Sequence, residues 1–184
     1  MLDIQEVAHS IGIGDQLAAR EQLARQRVED NILVNMPETR PRKCRDALPA
    51  ELETDAGKRA IAKKLPHMSI IIPYLKEKWR HVLLSVRSIL ATTNEYLLDE
   101  LIFVDDANGW QHNFTQELML LSPKIKVVHN KIREGVTKSK VNGVNAATSE
   151  VVVFLEPHIL VAKGWEYPLL TALKKILLKS HQKR

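Results

Sequence analysis

Four short runs constrain this chain more than anything else in it: HMSIII (67–72), ELIFV (100–104), IKVVH (125–129) and VVVFL (151–155). Each is β-branched-rich and near-continuous in apolar character rather than alternating, which is how strands buried on both faces read. Helical periods lie between and after them. Trp79, Leu83, Val86 and Leu90 recur at i, i+4, i+7 and i+11. A weaker helix covers Phe114 to Leu121 and is stopped by Ser122-Pro123. GVTKSKVNGVNAAT supplies a third, with Val141 and Val144 one turn apart, and GWEYPLLTALKKILLK a fourth. Strand and helix in alternation predict an α/β domain with a parallel or mostly parallel sheet.

The regular pattern begins at Pro66, so the expected division is 1–65 and 66–184. In the first part, GDQLAAREQLARQRVEDNI reads as a helix with a thin apolar stripe of Leu17, Leu23 and Val28. NMPETRPRKCRD, with two prolines and no period, reads as an extended linker, and AELETDAGKRAIAKK as a short polar helix. The 184 residues are 45% apolar and 27% charged, which is ordinary globular composition. No window approaches the eighteen or so apolar residues of a membrane span. MLDIQEVAHSIGIGDQ has acidic residues where a secretory signal needs basic ones.

The net charge of +5 does not predict a nucleic-acid surface. Residues 1–65 carry eleven basic and eleven acidic side chains, and residues 66–173 again eleven of each. The excess is confined to Lys174, Lys175, Lys179, Lys183 and Arg184, whereas a nucleic-acid binder needs its basic face on the folded body. The single cysteine, Cys44, cannot close an internal disulfide and reads as a reduced thiol in a loop.

In open α/β sheets ligands bind beyond the carboxyl ends of the strands. Pro73 to Glu77 follow the first run, and Asp105, Asp106, Ala107, Asn108 and Gly109 the second. Arg133, Glu134 and Gly135 follow the third, and Glu156-Pro157-His158 the fourth. Carboxylates, a guanidinium and an imidazole on one edge suit a nucleotide diphosphate held through a divalent metal. Each also has a structural reading: turn chemistry for Asp105-Asp106, a surface ion pair for Arg133-Glu134, a strand cap for Glu156-Pro157-His158. No GxGxxG or Walker A pattern is present, which weakens dinucleotide and NTPase readings.

From about Asn35 to Lys175 the chain resembles the polypeptide N-acetylgalactosaminyltransferases, the Golgi enzymes that start mucin-type O-glycosylation. The pieces that carry the resemblance are MPETRPRKCR, LPHMSIIIPYLKEKW with LLSVRSIL, LLDELIFVDDAN, KIREG, GVNAATSEVVVFLEPH and GWEYPLL, in order and at matching spacing. The resemblance implies a Rossmann-like glycosyltransferase-A type half-domain, the nucleotide-sugar half of the family's catalytic domain. It implies that Asp106, Arg133 and Pro157 meet the UDP-sugar, and that Glu156 and His158 stand where the family's Asp-x-His motif holds Mn²⁺. Residues i and i+2 of a strand face one side, so these two could address one ion. Family members transfer GalNAc to a Ser or Thr hydroxyl with retention of configuration. Cys44 matches a family cysteine whose partner lies in the later half.

The chain also departs from the family. Glu156 is one methylene longer than the family's aspartate, a displacement of roughly 1 Å at a site that tolerates ~0.5 Å. Pro157 has no N–H to offer a phosphate. Leu75-Lys76-Glu77-Lys78 replaces His-Asn-Glu-Ala, and Lys138 and Lys140 lack the forked geometry of arginine. The resemblance stops before the second metal histidine, the acceptor site, the catalytic loop and the lectin domain. The expectation is therefore a truncated, inactive relative that retains UDP-sugar binding but takes no polypeptide acceptor. The alternatives are an active transferase with a degenerate metal site and a non-catalytic protein-interaction module. The resemblance implies a Golgi setting, whereas the sequence taken literally, without signal or anchor, implies the cytoplasm. Asn113-Phe114-Thr115 is a glycosylation sequon that acts only in a lumen.

Overall fold

Strand β1 (Met68–Tyr74) is buried along its whole length, and the fold is arranged around it. In the computed structural model, which describes residues 39–181 apart from 46, together with residue 22, β1 pairs in parallel with a strand on either side. One neighbour is β2 (Leu98–Asp105), which in turn pairs in parallel with β3 (Ile125–His129); the other is β4 (Val151–Phe154). Among the described residues the sheet has four strands in the order β3-β2-β1-β4. The expected parallel α/β architecture is the one found.

Parallel strands need crossover helices, and these cover both faces. After a single turn, α1 (Arg42–Arg45), and the short helix α2 (Asp55–Ala62) come α3 (Trp79–Thr92), α4 (Thr115–Leu121), α5 (Val136–Ala146) and α6 (Glu166–His181). Ile70, Ile72, Tyr74, Leu101 and Phe103 join the larger core with Val82, Val86 and Ile89 of α3 and Leu118 of α4. Ile71, Ile102 and Val104 form the opposite, smaller core, on the face where α5 crosses β1 and β2.

The stretch before Pro66 shares this core. Leu52, Ile61 and Ala62 are buried in the larger cluster, and Arg40 Nη1 donates to the Lys163 carbonyl at 2.8 Å. The expected short polar helix is α2, capped by Thr54, whose side chain accepts the Gly57 N–H. The linker expected to be extended contains α1. The helix expected within GDQLAAREQLARQRVEDNI lies outside the described residues.

Two buried glutamates fix the chain just before β4 and at the start of α6. Glu100 accepts the Thr148 N–H at 3.1 Å, the Thr148 hydroxyl and Lys126 Nζ at 3.0 Å. Burial pushes its pKa up, but these partners outweigh burial and hold it below the usual value. Glu166, fully buried at the start of α6, accepts the Asn94 N–H at 2.9 Å through one oxygen and has no partner for the other. Burial therefore holds its carboxyl above the usual range.

Helix α5 corrects one sequence expectation. Val141 and Val144, read as its apolar stripe, are exposed; the buried residues are Ser139 and Gly143. The reason is close approach. A Cβ on Gly143 would lie 2.4 Å from Ile71 Cγ2 and 3.1 Å from Val104 Cγ2, so this helix rides on the sheet through residues with little side chain. Gly143→Ala should push α5 off β1 and β2 and cost about 1–3 kcal/mol, against a typical helix-propensity gain of under about 1 kcal/mol. Urea denaturation of the two chains checks this, and an unchanged or raised midpoint would contradict the packing described.

Candidate functional site at the carboxyl edge of the sheet

The site starts from strand register. Tyr74, Asp105 and His129 lie level across β1, β2 and β3, so these three strands end on one line. Strand β4 stops early: Phe154 pairs with Ile71, and the Leu155 N–H donates to the Ile71 carbonyl at 3.1 Å. The chain runs outward from β1 to β2 and β3 and then returns to the other side of β1 as β4. The order reverses between β1 and β4, which is where ligands of such sheets bind.

Glu156, Pro157 and His158 therefore do not continue a strand. Pro157-His158 is a turn, so the alternation expected to bring Glu156 and His158 to one side does not apply there. Both are exposed. Pro157 is buried, and its carbonyl accepts from Ser85 Oγ of α3 at 3.0 Å, so the proline fastens the turn to the helix. Nδ1 of His158 lies 3.4 Å from Oε1 of Glu77, across the gap between the β4 and β1 loops.

The loops after β1 and β2 are joined by Asn108. Its Oδ1 accepts the Lys76 N–H at 2.6 Å, and its Nδ2 donates to the Tyr74 carbonyl at 3.0 Å and to Asp105 Oδ1 at 2.8 Å. Asp105 Oδ1 also accepts the Asn108 N–H at 2.7 Å, which is the turn chemistry that its position suggested. Lys76 and Ala107 pay for this junction with φ values of 54° and 60°, in a region where side chains are strained.

Asp106 is 4% exposed and joins a different set of groups. Its Oδ1 accepts from Asn130 Nδ2 and from the Glu134 N–H, both at 2.8 Å, and its Oδ2 accepts the Gly135 N–H at 2.9 Å. Burial pushes its pKa up. The Glu134 N–H, the Asn130 amide, the Gly135 N–H and the Ser139 hydroxyl together outweigh burial and hold it below the usual aspartate value. Gly135 has φ 83°, a conformation that suits glycine, and leads into α5. Arg133 is exposed on the same turn, and no hydrogen bond or ion pair to it is recorded among the described residues.

The sequence marked Asp106 and Arg133, and placed Asn108 in the turn after the second run, but did not single out Asn130, Ser139 or Asn142. One signal was available: Asn130 is the first residue beyond β3, as Asp106 is the first beyond β2. Such positions carry polar groups that close the edge of a parallel sheet. Ser139, fully buried inside α5, shows no such signal in the sequence.

A divalent ion at Glu156 and His158 is not supported by the donor set. Among the described residues no three His, Cys, Asp or Glu side chains converge as metal ligands. The His158 nitrogen nearest a carboxylate faces Glu77, and Glu156 stands exposed before the turn. One carboxylate and one imidazole fall short of a protein-held site.

Comparison with known proteins agrees with this geometry. The family model described as Glycosyl transferase family 2 matches residues 69–177. Polypeptide N-acetylgalactosaminyltransferase 5 of Caenorhabditis elegans is 30% identical over 131 residues, 70% of this chain and 21% of that protein. Inactive polypeptide N-acetylgalactosaminyltransferase-like protein 5 of Mus musculus is 35% identical over 114 residues, 60% of this chain and 26% of that protein. A crystal structure of GalNAc-T7 with UDP, GalNAc and Mn²⁺ superposes with a TM-score of 0.64 at 21% identity, covering 90% of this chain and 30% of that one. The likeness to GalNAc-T7 establishes the shared glycosyltransferase-A type fold. The chain spans about a fifth to a quarter of the length of the curated relatives it matches.

The Asp106 junction makes the fold acid-sensitive in a defined direction. Its folded pKa is depressed, so the stability it contributes is present above the unfolded aspartate value and lost as pH falls through the folded one. Asp106→Asn should cost about 1–3 kcal/mol near neutral pH, because it sets an amide against a buried N–H. In urea titrations repeated at stepwise lower pH, that deficit should shrink toward the acid end. A deficit that stays constant would contradict an ionised, hydrogen-bonded Asp106.

Proposed function

The chain belongs to glycosyl transferase family 2, and on that premise we propose that its sheet edge is the nucleotide-sugar half of a polypeptide N-acetylgalactosaminyltransferase-type site, which binds UDP-sugar without completing transfer. The observation that carries this reading is Arg133. It is exposed at the carboxyl edge of the parallel sheet, in the loop after β3, on a turn held from beneath by Asp106. A guanidinium offers five N–H donors in a fork that matches phosphate oxygens, and its charge stays on at any physiological pH. UDP is the donor nucleotide that the resemblance implies.

Each remaining residue has a limited part in this reading. Pro157 has no N–H for a phosphate and shapes the β4 turn through the Ser85 bond. Glu77 and His158 bridge the β1 and β4 loops and so set the width of the gap a nucleotide enters. No step is assigned to a metal, since the described donors do not form a site for one. The Golgi setting that the resemblance implies belongs to this proposal.

Transfer to a Ser or Thr hydroxyl is not expected from the 184 residues alone. Holding donor and acceptor in line can supply ~7–11 kcal/mol of a barrier, and an edge that grips the donor alone does not supply it. A mucin-type peptide incubated with UDP-GalNAc and this chain should show no GalNAc above a blank. Measurable transfer would overturn the inactive reading.

Calorimetric titration should give a UDP dissociation constant of roughly 0.1–1 mM, as one forked contact and little else would allow. Chelating divalent ions with EDTA should leave it within about twofold, whereas a metal-held diphosphate would lose roughly tenfold or more. Arg133→Ala should weaken binding about tenfold. Affinity that survives Arg133→Ala unchanged would place UDP elsewhere.

A further inference from the structure

Three tryptophans lie among the described residues, and two of them serve the fold. Trp79 packs against Phe114 with ring centroids 5.3 Å apart, and Trp165 Nε1 donates to Thr93 Oγ1 at 2.9 Å. Trp110 does neither. It is 48% exposed, and among the described residues its ring meets no other aromatic ring and its indole N–H has no partner. We propose that Trp110 is the platform on which the base of a bound nucleotide stacks. The inference rests on the nucleotide-site reading above and adds what receives the base.

The placement of Trp110 supports this. It opens a short 3₁₀ turn (Trp110–His112) in the loop after β2, at the carboxyl edge of the sheet. Both flanks of that turn are fastened to the loop after β1. Before it, Asn108 holds the Lys76 N–H and the Tyr74 carbonyl; after it, His112 Nδ1 donates to the Glu77 carbonyl at 3.1 Å. Lys76 and Ala107, the two non-glycine residues of positive φ among the described residues, both belong to this junction. Such strain persists where the surroundings over-determine it, and it gathers at ligand sites. The indole is thus an apolar face on a fixed mount.

The space beside it is open. A Cβ built on Gly109, just before Trp110, or on Gly135, beyond Arg133, would meet nothing within 4 Å. Trp110 follows β2 and Arg133 follows β3, paired strands about 4.8 Å apart. A diphosphate on the guanidinium therefore leaves its nucleoside beside the β2 loop. The two contacts differ in chemistry. A forked cation grips phosphate oxygens, whereas an indole takes the flat side of a base and makes no demand on its hydrogen-bonding edge. The uracil N–H and carbonyls stay free for other groups of the edge. Phe154, the other exposed aromatic ring, does not compete for this part. It sits level with Ile71, inside the line on which β1 and β2 end, with Lys140 Nζ 5.5 Å from its ring centroid.

The test uses a ligand that keeps every hydrogen-bonding atom of UDP and loses the flat ring. Dihydro-UDP, saturated across the C5–C6 bond of its base, retains the N–H and both carbonyls but is puckered. Both ligands are titrated by NMR into wild type, Trp110→Leu and Trp110→Phe. Stacking predicts that wild type prefers UDP by about fivefold. Trp110→Leu keeps apolar bulk without a π face. It should weaken UDP about fivefold and bring the two ligands within about twofold of each other. Trp110→Phe, which restores a ring, should keep a preference of about threefold. Trp110 is exposed, so both variants should match wild type in urea midpoint. Equal affinity of wild type for the two ligands would overturn the inference, and that comparison needs no variant to fold. A preference for UDP that survives Trp110→Leu would overturn it too. Either result leaves the nucleotide site standing, whereas absence of saturable UDP binding by wild type would bring down both.

Discussion

The parallel pairing of β1 with a strand on each side is the constraint from which the rest follows. Because β1 is covered on both faces and hydrogen-bonded on both edges, every residue in it is buried. Because the pairing is parallel, all the strand carboxyl ends fall on one edge, and every crossover must return over a face. The return to the far side of β1 opens the gap where the Glu77 and His158 loops meet. A site at that edge is a consequence of topology before any particular side chain is considered.

Buried carboxylates then decide how firmly the edge is built. For Asp106, Glu100 and Glu166 the hydrogen bonds account for the difference in their titration. Asp106 has both oxygens bonded and is held below its usual pKa, and Glu100 is held down in the same way by Thr148 and Lys126. Glu166 has one oxygen bonded and one without a partner, so burial wins and its carboxyl is pushed up. A fully paired carboxylate holds its loops firmly, whereas a half-paired one costs stability at neutral pH. The two loops nearest the proposed nucleotide, after β2 and after β3, are tied by the fully paired kind.

The layers of the fold were legible in the sequence because continuous β-branched runs and helical periods report burial directly. The four runs became the four strands, and the helical stretches from Trp79 and from Phe114 became α3 and α4 within a residue of their expected starts. What periodicity could not report was backbone proximity. Val141 and Val144 looked like the buried stripe of α5, yet Gly143 is what lets the helix lie against Ile71 and Val104. The site was partly legible for a related reason. Position after a strand marked Asp106 and Arg133, but not that Asp106 would face inward, since its partners Asn130 and Ser139 come from a different strand and helix. Glu156-Pro157-His158 was misjudged in geometry because β4 ends two residues before Glu156, which the run VVVFL does not disclose.

The proposed function commits to a place: a nucleotide diphosphate would meet this chain at the carboxyl edge of the sheet and nowhere else. Amide chemical-shift mapping during a UDP titration tests it most directly. The account predicts saturable shifts clustered in residues 75–78, 106–109, 131–136 and 155–158, with the basic segment 174–184 unmoved. Shifts confined to that basic segment, or spread without saturation over the surface, would contradict it.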